Sequence, residues 1–380
     1  MKIVFSFFLL IISILVNAQY NISEKFILPD EVEETSGLIF FNNHLITHND
    51  SGGLAELYEI DTISGSITRT VTIQNASNVD WEDICQDQNY IYIGDFGNNN
   101  GDRTDLSIYR ISKYDYEHYS TVIADTISYS YAEQVDFTAQ HNATNWDAEA
   151  LVSIGDQLLI FSKNWEDNHV NIYPVPKNPG TYTTSSQSVY NVQGMITGAD
   201  QIGDSLIVLV GYDSGLHSCI VTIRDIDLDN LDLFGSSSVT QYNEIVSAGN
   251  QLEGICFVSV NNSDYRLFLS NERFSFSTLV WDAKLRVLEL DKTVLSIQNI
   301  KDDNLVVYPN PSNGKVNFTF NEQNFSRKKI YVYNSSGIEL SELMNPSQNF
   351  VLDFSKYGKG IYEVVIQNST TIITRRIIIN

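Results

Sequence analysis

Glu82, Glu149 and Glu253 each open the same short pattern: a polar residue, a small or polar one, an aliphatic one, then a polar turn and an apolar strand. In the first copy Glu82-Asp83-Ile84 leads to Ile91-Tyr92-Ile93 and ends at Asp95. In the second, Glu149-Ala150-Leu151 leads to Leu158-Leu159-Ile160-Phe161 and Lys163-Asn164. In the third, Glu253-Gly254-Ile255 leads to Arg266-Leu267-Phe268-Leu269 and Asn271-Glu272-Arg273. Ser36-Gly37-Leu38 and Thr197-Gly198-Ala199 open two weaker copies, which end at His48-Asn49-Asp50 and Tyr212-Asp213. Residues at one repeat position converge if the repeats are arranged around an axis. Three carboxylates facing a narrow channel repel one another unless a cation lies between them. Calcium suits such a place, because it accepts six to eight oxygen ligands of mixed type. The alternative is structural: each Glu accepts from backbone N–H groups of a neighbouring repeat.

A second set lies at the ends of the following strands: His48, Asp50, Asp95, Asn164, Asn271 and Arg273. These are candidate ligand-binding residues, and His48 and Arg273 are the two with proton-transfer or oxyanion chemistry. Trp81, Trp146, Trp165 and Trp281 offer either stacking surfaces or core volume. HExxH, GxSxG, Walker and CxxC patterns are absent, so zincin, serine-hydrolase, NTPase and redox readings have no support.

The elements that must carry these residues are strands. The repeats begin at Ser36, Glu82, Glu149, Thr197 and Glu253, and the first divides into four strands with turns at Asn42-Asn43 and Ser64-Gly65. Units of about 40 to 50 residues made only of short strands signify propeller blades. We therefore expect an all-β chain with a five-bladed β-propeller over 19–296, six blades being the alternative. The strand Lys25-Phe26-Ile27-Leu28 is expected to close the ring beside Leu285–Leu290, and residues 133–146 to form a loop on one rim. A β-sandwich is the competing architecture.

The 380 residues carry a formal net charge of -24, which argues against nucleic acid, since phosphate backbones are bound by basic patches. Lys2, the apolar run from Ile3 to Val16 and Ala18 read as a secretory signal over 1–18, with no transmembrane segment expected in the mature protein. Cys85, Cys219 and Cys256 do not make a disulfide framework and read as small buried apolar residues.

Residues 297–304 read as a polar linker before a second domain, 305–380. It begins with Tyr308-Pro309-Asn310-Pro311 and Gly314 and continues through the VYNSSG turn at 332–337 and GKGIYEVVI at 358–366. Arg375-Arg376 precede the final apolar triplet. Alternating strands with tight turns predict a small β-sandwich. In these motifs it resembles the type A C-terminal sorting domain of the type IX secretion system of Bacteroidota. That resemblance implies that residues 305–380 engage the secretion machinery and are removed on arrival, leaving the cargo extracellular or on the outer-membrane surface.

The N-terminal region resembles secreted propellers of the same bacteria through THNDSGG…LYEID at 47–61 and DWEDI…IGDFGNN at 80–99. It has a fainter likeness to calcium-dependent propeller hydrolases, the five-bladed apyrases and phytase-like esterases. The expected function is binding of an extracellular ligand, and the alternative is calcium-dependent hydrolysis of phosphate or carboxylic esters. Calcium is the one cofactor expected.

If residues 305–380 are an address, the chain in its native host loses about 8 kDa on crossing the outer membrane, at roughly 0.11 kDa per residue. Removing Tyr308 to Asn380 should strand a folded N-terminal region in the periplasm. Intact C-termini on surface-exposed protein, seen by mass spectrometry, would contradict this.

Overall fold

The computed structural model describes residues 20–247, 249–261, 263–276, 279–292, 305–320, 329–334, 339–344, 349–367 and 372–380. The expected leader and the 297–304 linker lie outside the described residues. The chain is almost entirely β, built of small sheets that are mostly antiparallel.

Between Tyr20 and Asp291 the described strands form five sheets of four or five strands, named here in order of their innermost strands, and a separate two-stranded ribbon, Phe274–Phe276 with Leu279–Trp281. Sheet 1 runs Thr35–Phe41, His44–Asn49, Glu56–Asp61, Ile67–Ile73. Sheet 2 runs Trp81–Gln86, Tyr90–Asp95, Ser107–Ser112, Asp125–Tyr131. Sheet 3 runs Ala148–Ile154, Gln157–Ser162, His169–Pro176, Ser188–Asn191. Sheet 4 runs Met195–Ile202, Leu206–Tyr212, Ser218–Arg224, Ser238–Asn243. Sheet 5 runs Leu252–Val260, Asp264–Asn271, Lys284–Asp291, and its fourth strand is the N-terminal Tyr20–Ile27, antiparallel to Lys284–Asp291.

Two sheets carry a fifth, parallel strand taken from the following unit. Thr121–Val122 adds to sheet 1 beside Ile67–Ile73, and Gly180–Thr184 adds to sheet 2 beside Asp125–Tyr131. Such borrowed strands cover sheet edges that would otherwise present unpaired backbone groups. Two short helices, Lys113–His118 and Leu233–Ser236, interrupt the run of strands. Ser112 caps the first by accepting from the Asp115 N–H.

The innermost strands touch in cyclic order: sheet 1 against 2, 2 against 3, 3 against 4, 4 against 5, and 5 against 1. Five apolar clusters fill the spaces between consecutive sheets. Ile39, Leu57 and Val71 meet Ile84, Ile91 and Ile93, for example, and Leu38, Leu45 and Ile60 meet Cys256, Phe268 and Leu285. Every sheet is thus buried on both faces, which explains strands such as Leu206–Tyr212 that are apolar and buried throughout. Cys85, Cys219 and Cys256 are buried and free, as the sequence suggested.

Each innermost strand is bulged at its repeat position. Trp81 pairs with Asp95 and Asp83 with Gly94, leaving Glu82 unopposed. Glu149, Thr197 and Glu253 are skipped in the same way, and in sheet 1 the skipped pair is Ser36-Gly37. A bulge turns the extra side chain out of the ladder. It also lets neighbouring inner strands approach backbone to backbone. A Cβ at Gly254 would lie 2.5 Å from the Ser36 carbonyl oxygen, and one at Gly37 2.5 Å from the Ile84 nitrogen.

Residues 305–380 make a second unit. Leu305–Tyr308, Lys315–Phe320 and Asn349–Asp353 form one sheet; Glu339–Met344, Lys329–Asn334, Gly360–Gln367 and Ile372–Ile379 form the other. Val316, Phe318, Ile330, Val364 and Ile377 share one core between them. Asn310 of the Tyr-Pro-Asn-Pro motif fastens the last strand, donating to the Arg376 carbonyl at 2.7 Å and accepting from the Ile378 N–H at 2.8 Å. Among the described residues no helix is long and apolar enough to cross a membrane.

The inner-strand approach generates a test. A methyl group at Gly198 would overlap the Glu253 carbonyl, which is backbone and cannot rotate away. Gly198→Ala should therefore cost about 1–3 kcal/mol by overpacking, read from denaturant unfolding. An unchanged midpoint would mean that the inner strands can spread apart.

Candidate functional site

The three bulged carboxylates emerge at one pocket of about 170 Å³, lined by Ser36, Asp50, Glu82, Glu149, Glu253 and Glu272 among the acids and hydroxyls. Lys163, Trp165, Tyr212, Asn99 and Gln251 complete its walls. Glu82 and Glu149 are each only 4 % exposed and Glu253 7 %. His141 and Asn142 reach the rim from the loop that precedes sheet 3. That loop is pinned by the N–H of Gln140 on the Asn100 carbonyl and that of Asn142 on the Asn99 carbonyl, both at 2.8 Å.

The three glutamates differ in their surroundings. Glu149 is bonded to the buried ammonium of Lys163. Glu253 accepts from the Tyr212 hydroxyl at 3.2 Å. No donor among the described residues bonds the Glu82 carboxylate. One carboxylate oxygen each from Asp50, Asp80 and Glu82 lie within 4.8 Å of one another, and so do those of Glu82, Asp147 and Glu149. Glu253 belongs to neither group. Asn99 Oδ1 and Gln251 Oε1 are buried with no hydrogen-bond partner, which leaves two neutral oxygens on the wall available to a ligand.

Asp147 is held rigidly. Its Oδ1 accepts from the N–H groups of Asn98 and Ala148, at 2.6 and 3.0 Å, and its Oδ2 from the Trp165 indole at 2.8 Å. The structural use of an acid weighed as the alternative for the ring glutamates is found one residue along, at Asp83. Its Oδ2 accepts from the Leu151 N–H of sheet 3 at 2.8 Å and the Ala199 N–H of sheet 4 at 3.2 Å. Asp200 does likewise with the Phe257 N–H of sheet 5 at 2.6 Å.

Of the second set of expected residues, Asp50 alone lines the pocket. Asp95 accepts from Arg103 at 3.0 Å and from the Asp80 N–H at 3.1 Å. Asn164 bonds Ser162, Asp167 and Asn171, and Asn271 is held by Arg286 and by the Glu272 and Asp282 carbonyls. Arg273 is exposed and paired with Glu33 at 3.3 Å. His48 is fully buried, edge-on to Trp81, with Nδ1 donating to the Asn49 carbonyl at 3.0 Å. Trp81 and Phe96 fill core volume, while Trp165 faces the pocket.

Asp80 and Asp147 were not read from the sequence as site residues, and Lys163 and Glu272 were read only as part of the polar clusters at the strand ends. A signal for two of them was present: Asp80-Trp81-Glu82 and Asp147-Ala148-Glu149 are the same Asp-x-Glu at the same repeat position.

Burial, then Asp50, Glu149 and Asp80, push the Glu82 carboxyl well above the usual range. Burial works against the Lys163 ammonium, but Glu149, Tyr212 and Glu253 overcome it and hold the proton on. Burial likewise raises Asp50 to about 6, and Asp80, Asp200 and Glu272 to about 7. These folded carboxyls bind protons more tightly than their unfolded counterparts, at 3.8 for Asp and 4.5 for Glu. Their contribution to stability is therefore present at low pH and lost as pH rises from those values through about 7. His48 acts oppositely: burial lowers it to about 4 from 6.5, so it disfavours folding as pH falls through that interval. Above its unfolded value only the carboxyls act. In chelator, the melting temperature should fall between about pH 6.5 and about pH 8; a flat or rising profile would refute this electrostatic account.

Comparison with known proteins bears on the C-terminal unit. No curated protein matches the chain. Residues 306–380 match the family of secretion system C-terminal sorting domains, in agreement with the motifs at Tyr308–Pro311 and 358–366. The chain is thus a cargo of the type IX secretion system, which it engages through this domain and which carries it across the outer membrane to the cell surface or beyond.

Proposed function

We propose that residues 20–292 form a five-bladed β-propeller whose axial pocket holds one calcium ion and binds an extracellular ligand at the cell surface. The cyclic order of inner strands and the closure of sheet 5 by Tyr20–Ile27 support the propeller. The observation that carries the ion is Glu82, a buried carboxylate that no donor satisfies, within 4.8 Å of Asp50 and Asp80. Like charges at that separation repel by roughly 3–4 kcal/mol per pair at an effective dielectric of about 20. The three pairs together approach the whole net stability of an ordinary domain, about 5–15 kcal/mol. Protonation or a cation must relieve them. Calcium fits the donor set of three carboxylates and the neutral oxygen of Asn99.

Trp165 and Tyr212 on the wall suit stacking against a sugar or an aromatic group. Calcium-dependent hydrolysis of phosphate or carboxylic esters is a second reading, favoured by Glu272, outside the ion's donor set, whose raised pKa suits proton transfer near neutrality. Binding is preferred because His48 is buried off the pocket and Arg273 is occupied by Glu33. Chelator-sensitive ester turnover by the purified chain would reverse that preference.

Calcium at about one hundred times its dissociation constant should stabilise the chain by about 2.7 kcal/mol, raising the melting temperature by several degrees. Glu82→Gln and Asp50→Asn should each remove most of that rise, and the double variant should lose little more, because both serve one ion. Glu253→Gln should leave it intact. Identical melting in calcium and in chelator would sink the reading.

A further inference from the structure

Two overlapping carboxylate triads share the pocket-lining Glu82, and only one has a cation of its own. In the triad Glu82–Asp147–Glu149, the Lys163 ammonium is bonded to Glu149 and lies 4.9 Å from the Trp165 ring centre and 5.7 Å from that of Tyr212. Lys163 is only 5 % exposed, so its charge is committed to these neighbours. In the triad Asp50–Asp80–Glu82 no positive side chain is bonded to any member among the described residues. In the triad that holds Lys163, Asp147 is kept in one orientation by Asn98, Ala148 and Trp165.

We propose that Lys163 occupies the second of two cation positions in this pocket, so that the native chain takes one divalent ion where the carboxylate framework would accept two. The inference rests on the calcium reading above and specifies the stoichiometry of that same site. An ammonium nitrogen sits about 2.7–2.9 Å from a carboxylate oxygen, and calcium about 2.3–2.6 Å, so an ion bound to Glu149 would need the space beside that carboxylate that the ammonium fills. They differ in charge and in tether. The lysine brings one positive charge that never dissociates; the ion brings two and leaves with the chelator. The chain thereby keeps one positive charge among these carboxylates when calcium is absent.

The full chain, stripped with chelator and titrated with calcium by calorimetry, should bind one ion per chain. Lys163→Met keeps the length and apolar stem but removes the ammonium, and it should bind two. Lys163→Arg should stay at one. The double variant Lys163→Met with Glu149→Gln removes both members of the ion pair and should return to one. If Lys163→Met fails to fold in chelator, it is refolded in calcium and its bound ions are counted after gel filtration. Two per chain supports the proposal, and one overturns it. Failure to fold even in calcium also overturns it, since an ion could not then replace the ammonium. If the native chain binds no calcium, the underlying reading fails instead, and the two failures are distinguished by that first titration.

Discussion

Five inner strands must meet around one axis, and the rest of the N-terminal structure answers to that constraint. At Gly37, Gly198 and Gly254 the approach is so close that a Cβ would strike the neighbouring strand's backbone. An unbroken ladder cannot come so near while alternating its side chains. The bulge at each repeat position resolves this by releasing one residue from pairing and aiming it at the axis. Four of these residues, Ser36, Glu82, Glu149 and Glu253, line one pocket. In sheets 1 and 4 the released side chain is a hydroxyl, and Ser36 and Thr197 donate to the Glu82 and Leu252 carbonyls of the next strand. In sheets 2, 3 and 5 it is a glutamate, and the pocket follows from the same geometry that closes the ring.

Two kinds of buried acid result. Asp83 and Asp200 sit where neighbouring inner strands expose N–H groups, so their charge is spread over two or more backbone donors. They act as staples between sheets. Glu82, one position earlier, meets other carboxylates instead. Adjacent residues on one strand thus divide the work: one holds the ring together and the other leaves an unmet demand for positive charge. Asp83 is buried at least as deeply as Glu82, so donors rather than depth separate structure from site.

Much of the strand plan was legible because it depends on local chemistry. Asn42 and Asn43 both adopt positive φ, at 49° and 65°, and Gly65 at 76°, as tight hairpin turns demand. The alternation between those turns placed all four strands of sheet 1 within a residue or two. Closure by the N-terminal strand was legible too, because sheet 5 lacked a fourth strand of its own. The bulges were not, since a bulge is a mismatch between two strands and a single strand's pattern does not show it. Nor were the parallel additions at Thr121–Val122 and Gly180–Thr184, whose pairing depends on the neighbouring unit. Lys163 read as a strand end because its role depends on a carboxylate fourteen residues away across a hairpin. Asp80 and Asp147 were within reach, as the repeated Asp-x-Glu shows.

The C-terminal unit packs two sheets over one core rather than closing a ring, and the contrast explains why its identity was readable when that of the larger unit was not. Its motif residues do structural work that leaves little freedom of type: Asn310 must both donate and accept to hold the last strand, and only a side-chain amide does both in one plane. Such positions mark a family. The ring of five sheets asks mainly for buried apolar strands, which many sequences supply. What distinguishes it is the handful of charges at its axis. Their meaning lies in mutual distances of less than 5 Å between residues as far apart in sequence as Asp50 and Glu82, and so it became visible only once the ring was closed.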